Sequence, residues 1–208
     1  MRNLKALRNE ILTLAGESFQ SLGFRKNKDV WLLPLGEMQA SGWLGLNAVN
    51  RRDGRVGINP VVGVRNEQVE TMMKELSGDP SITAPTISIS LGYLMPEAKY
   101  LEWLFEGAPF DYHSECHRMV RAIELYGIPF IRSKSHLETI IGDLEQGRYT
   151  HNESAAYRLP IAYTLSGDTN AAAAYAKQKV EGLSSRNDEA ARRYRDFVER
   201  LLSYGQPK

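Results

Sequence analysis

The feature that most restricts the fold of this chain is a change of period near residue 108. Ahead of it, short apolar runs such as "DVWLLPL", "ASGWLGLNAVN" and "RVGINPVVGV" are punctuated by Gly, Pro, Asn and Asp. Behind it, apolar residues return every three or four positions with little interruption. A two-residue period places side chains on one face of a strand, and a period near 3.6 places them on one stripe of a helix. The expectation is an α+β chain: an N-terminal antiparallel sheet with flanking helices, and a C-terminal helical half containing a helical hairpin. "GAPFD" at 107–111 marks the boundary, giving an α+β subdomain over 1–108 and a helical subdomain over 109–208 packed against it.

Within the first half, Leu4, Leu7, Ile11, Ala15, Phe19 and Leu22 form a helical stripe that Gly23 ends. Leu44, Leu46 and Ala48 alternate with Trp43, Gly45 and Asn47, and Asp53-Gly54 follows, a pair suited to the positive backbone angles of a hairpin turn. A hairpin over about 40–64 is therefore expected. Pro60, which has no N–H to donate, predicts an edge, a bulge or a break in its second strand. Asn66 caps a helix carrying Val69, Met72, Met73 and Leu76, and "SGDP" at 77–80 closes it. Ile87, Ile89 and Leu91 alternate as a strand, and "YLEWLF" at 100–105 reads as another.

The second half predicts helices over 113–126, 136–146, 153–166, 169–183 and 187–204. Ser135 is placed as a cap, Gly167-Asp168 as the end of one helix and the cap of the next, and Pro160 as a kink or a fresh start. Small-residue helices with "AAAAYA" at 171–176 suggest a single hairpin of the tetratricopeptide sort, too few repeats for a solenoid.

Apolar residues at 42% and charged residues at 25% permit a sizeable core, and 26 Lys plus Arg nearly cancel 25 Asp plus Glu. That balance removes the summed field on which nonspecific nucleic-acid binders rely. The one cysteine cannot form an internal disulfide, the opening segment is broken by charges before any long apolar run, and no stretch has the length needed to span a bilayer. A cytoplasmic location is expected, with no membrane association and no cofactor.

The most chemical stretch is "DYHSECHR" at 111–118. Cys116 shares a helical face with Tyr112, Met119, Val120 and Ile123, which makes it a core residue before a reactive thiol. His113 and His117 lie on the flank of that stripe, with Glu124 further along. Two histidines at i and i+4 have a geometry that can hold a metal, yet the companion residues of known helical zinc motifs are missing, with Ser114 where a glutamate would follow. No metal site is expected, and His113, His117 and Glu124 stand as candidate acid–base groups. No Gly-x-Ser-x-Gly elbow and no phosphate-binding glycine loop is present. "MPEAKYLEWLFEG" concentrates Tyr100, Trp103 and Phe105 with Glu102 and Glu106; the aromatic residues read as core, and the same charge-rimmed set also suits a partner-binding groove. The arginines of "NRRDGR" and "RNDEAARRYRDFVER" stand near aromatic residues, one recipe for RNA contact. In the second of these, Glu189 with Arg193, Arg192 with Asp196 and Arg195 with Glu199 have the spacing of paired charges on a solvated face.

The succession "LGFRKNKDVW", "GWLGLN", "INPVVGVR" and "LGYLMP" resembles bacterial domains of unknown function in which an N-terminal helix leads into a small antiparallel sheet. The resemblance covers the first half, and it implies by analogy an immunity or defence-associated role without naming a mechanism. The expected function is a noncatalytic module whose partner is another protein. The alternatives are an enzyme with a dispersed site near the junction of the halves and a weak nucleic-acid binder.

Overall fold

In the computed structural model, which describes residues 3–36, 39–78, 84–106 and 111–204, the chain is α+β. The elements follow in order: α1 Leu4–Ser21, β1 Arg25–Asn27, β2 Val30–Pro34, β3 Ala40–Asn50, β4 Val56–Asn66, α2 Glu67–Ser77, β5 Ile87–Ser90, β6 Trp103–Phe105, α3 Tyr112–Ala122, α4 Ile128–Ser133, α5 Leu137–Glu145, α6 Asn152–Leu165, α7 Thr169–Glu181 and α8 Glu189–Ser203. A 3-10 turn, Leu91–Leu94, follows β5, and a π turn, Ile123–Gly127, joins α3 to α4.

The strands form one six-stranded sheet in the order β1-β2-β3-β4-β5, with β6 also on β4. The pairs Trp31↔Leu44 and Leu33↔Gly42 put alternate residues of β2 and β3 on one face, as their two-residue period requires. On that face Trp31, Leu33 and Leu44 are buried. Ile131 of α4 lies over Gly42, where a Cβ would stand 2.6 Å from its Cγ2, so the helix approaches only because the position is glycine. Phe19 of α1 meets Trp31 edge-on with ring centroids 5.5 Å apart.

Compactness divides the chain into two units, each discontinuous in sequence. The first comprises 1–64 and 88–135; the second comprises 65–87 and 136–208. The division falls elsewhere than the change of period at 108: α3 and α4 group with the sheet, and α2 groups with the C-terminal helices. "GAPFD", where the break was expected, lies outside the described residues apart from Asp111.

Several local expectations change. Pro60 lies inside an uninterrupted β4, neither at an edge nor at a break. Its neighbour on that strand explains why it is tolerated. β6 pairs with Val56, Gly57 and Ile58, while Ser90 of β5 lies beside Asn59, so Pro60 falls where β4 changes partner. Asn59 bridges that change, donating from Nδ2 to Ser90 Oγ at 2.6 Å and to the Leu101 carbonyl at 2.7 Å. The helix expected to end at 126 continues to Ser133 through the π turn, where the Ile128 N–H donates to the Ile123 carbonyl directly before Pro129. Ser135 is no cap for α5: its hydroxyl donates to the Arg132 carbonyl.

Pro160 neither ends nor restarts α6. A proline removes the hydrogen bond to the carbonyl four residues back, here that of Ala156. The Tyr194 hydroxyl of α8 donates to that carbonyl instead, at 3.2 Å. Asn66, Asp168 and Asp188 cap α2, α7 and α8 through side-chain oxygens that accept from Val69, Ala171 and Ala191 N–H groups.

Candidate functional site

Cys116 is fully buried in α3, and burial pushes its thiol up to about 11, so it sits there as a protonated small hydrophobe. His113 and His117 are exposed on the same helix. The His113 ring stacks on Tyr112 at 4.4 Å, and its Nδ1 stands 3.7 Å from Asp111 Oδ1. Glu124 belongs to the π turn and pairs with Arg121 at 2.6 Å. His113 and His117 thus face solvent, and His113 and Glu124 each have a local charged partner. His136 and His151 are also exposed. Among the described residues no three His, Cys, Asp or Glu side chains gather as metal ligands would.

The aromatic set at 100–105 separates in the same way. Trp103 and Phe105 are buried in β6, and Tyr100 is exposed. Glu102 folds over Gly57, whose missing side chain leaves it room, and pairs with Arg51. Arg55 is held by Asp53 at 2.6 Å and reaches Glu106 at 3.8 Å, so two of the three arginines of the β3–β4 turn, Arg51 and Arg55, are balanced by carboxylates. Arg55 in turn holds the Asp53 carboxyl below its usual range.

A charged cluster in the second unit escaped the sequence reading. Glu70 of α2 is fully buried, and Arg158 of α6 is nearly so. Arg158 donates from Nε to Glu70 Oε1 at 2.7 Å and from Nη2 to Oε2 at 2.9 Å, and also reaches Ser154. The Thr86 hydroxyl donates to Glu70 Oε1 at 2.8 Å while accepting from the Asn66 N–H. Arg65 lies 3.9 Å from Glu70 and donates to Glu67 and to the Ala84 carbonyl. Both oxygens of Glu70 have donors, so the cluster ties α2, α6 and the approach to β5 together. The available signal was a carboxylate beside the apolar stripe Val69, Met72, Met73 and an arginine among Ala155, Leu159 and Ile161. Charges on core faces need partners, though periodicity does not say which.

The other side of α6 opens on a cleft of about 520 Å3 between α6, α7 and α8. Ala156, Tyr157, Leu183 and Tyr194 supply its apolar surface, and Glu153, Gln178, Lys179 and Arg186 supply its polar groups. That volume falls within the range of about 300–1,000 Å3 typical of ligand-holding clefts. Tyr157 packs edge-on against Tyr194 at 5.0 Å and Phe197 at 4.8 Å, which fixes the aromatic floor on the core beneath. Burial raises the phenols of Tyr157, Tyr175 and Tyr194, so all three remain protonated donors.

The α7–α8 connection forms one wall and is held from α8. Arg195 donates to the carbonyls of Leu183 and Arg186 at 2.7 and 2.6 Å, in place of the expected pairing with Glu199. Arg186 binds both oxygens of Asp188, at 2.8 and 3.1 Å, and holds that carboxyl down at about 2. Glu189 and Arg193 pair one turn apart, as their spacing predicted.

Comparison with family models, with curated proteins and with solved structures finds no match to this chain, so its function is argued from its own geometry. No described helix is long and apolar enough to cross a membrane.

Proposed function

We propose that this chain is a noncatalytic protein-interaction module of the bacterial cytoplasm, and that it holds a segment of another protein in the cleft between α6, α7 and α8. The observation that carries this reading is the composition of that cleft: an aromatic and aliphatic floor anchored on the core, rimmed by charged and amide side chains. Interfaces concentrate their energy in such aromatic pockets with a polar surround. The exposure of His113 and His117 and the pairing of Glu124 with Arg121 support the same reading, because catalytic acid–base groups work on a substrate held in a cleft. The single buried cysteine suits a reducing compartment.

The test is selection from a random displayed-peptide library against the full chain and against Ala190→Trp, with folding of the variant checked by circular dichroism. Ala190 is exposed on the cleft wall, so the indole fills the space without entering the core. A consensus enriched on the natural chain and lost on the variant is the expected result. No enrichment, or the same consensus on both proteins, overturns the reading.

A further inference from the structure

The charges around the cleft are unevenly used. Arg186 is neutralised by Asp188, and Arg193 by Glu189. Glu153, on the α6 side, lies where its field favours the charged form of Arg186. Lys179, on the α7 side, has the Tyr175 ring as its neighbour, 5.3 Å from the centroid, and among the described ion pairs no carboxylate takes its charge. A cation resting on an aromatic face at an exposed site keeps most of its capacity to bind an anion. The remaining polar groups on that side also favour an acceptor. The Tyr157 phenol is kept protonated by burial and makes no described hydrogen bond within the protein, and the Gln178 amide lies beside Lys179 on the rim.

Taking the cleft as the binding site, we infer that its occupant is an acidic peptide segment: an apolar side chain on the Ala156, Leu183 and Tyr194 floor, with an adjacent carboxylate on Lys179 and the Tyr157 hydroxyl. Glu153 sets the orientation, since a carboxylate placed at the α6 mouth meets a like charge while one at the α7 wall meets a cation. Small residues at Ala156, Gly182 and Ala190 let a peptide backbone approach the walls closely.

The experiment is fluorescence anisotropy with three labelled synthetic peptides sharing one central Leu-Phe pair, flanked by Asp and Glu, by Ser and Gln, or by Lys. The acidic peptide should bind the natural chain most tightly, by up to about fivefold for each carboxylate that reaches Lys179. Added salt should narrow the gap, and Lys179→Glu should transfer the preference to the lysine-flanked peptide. Equal affinity for all three peptides, abolished by Ala190→Trp, would overturn the acidic preference and leave the cleft reading standing. Binding that ignores Ala190→Trp places the peptide elsewhere and overturns both. A failure of all three peptides to bind overturns the inference, and the library selection then decides the cleft reading by itself.

Discussion

Tyr157 and Arg158 are neighbours in α6, yet they serve opposite kinds of polar surface. Arg158 is buried against Glu70, where Thr86 supplies the remaining strong donor and Asn66 completes the chain of hydrogen bonds. Tyr157 lies in the cleft, where Lys179 has no described acidic partner and the phenol makes no described hydrogen bond. A closed cluster holds elements in place, because every group that lost water on burial has recovered a partner. An open one keeps unsatisfied capacity facing solvent, which is what recognition requires. The difference separates structure from binding better than residue type does, since both clusters contain charged side chains.

The sharpest way to break that contrast is to open the closed cluster. Glu70→Ala or Arg158→Ala leaves a buried charge unpaired and should cost about 3–5 kcal/mol in urea unfolding, whereas replacing both partners with Leu and Met should recover most of the loss. A single substitution costing less than about 1 kcal/mol would mean that water already reaches the pair. Next in size is the bond that Pro160 makes necessary. Tyr194→Phe removes the donor to the Ala156 carbonyl and should cost about 1 kcal/mol. Adding Pro160→Ala supplies a backbone N–H to the same carbonyl, so the double variant should be the more stable of the two. Additive losses would show that the hydroxyl acts elsewhere.

Smaller effects are expected in the stretch that looked most chemical. Burial holds the Cys116 thiol up near 11, so a disulfide reagent at neutral pH should label it only as the protein unfolds. Rapid labelling of the folded chain contradicts a core placement. Joint replacement of His113 and His117 by Gln should change stability by less than about 0.5 kcal/mol and leave peptide binding intact.

What the sequence made legible was local. The stripe Leu7, Ile11, Ala15 and Phe19, the Asp53-Gly54 hairpin and the caps at Asn66 and Asp168 all depend on neighbours within a few positions, and all are present. β1 was missed because Arg25, Lys26 and Asn27 are exposed and carry no apolar alternation, as a charged edge strand does. The outcomes at Pro60 and Pro160 depend on partners distant in sequence: Pro60 lies inside β4 beyond the residues that pair with β6, and the carbonyl that Pro160 leaves without its helical N–H accepts from Tyr194. The candidate site was hidden for the same reason. Glu153, Lys179 and Ala190 stand on three different helices, and no periodicity in one helix announces a space enclosed by three.

The most direct test of the central claim is a methyl and amide NMR titration of the full chain with the acidic peptide. The cleft account predicts saturable shifts centred on Ala156, Leu183, Ala190 and Lys179, with the amides of His113, His117 and Glu124 unmoved. Shifts centred on the histidine helix instead, with the cleft signals unchanged, would contradict it.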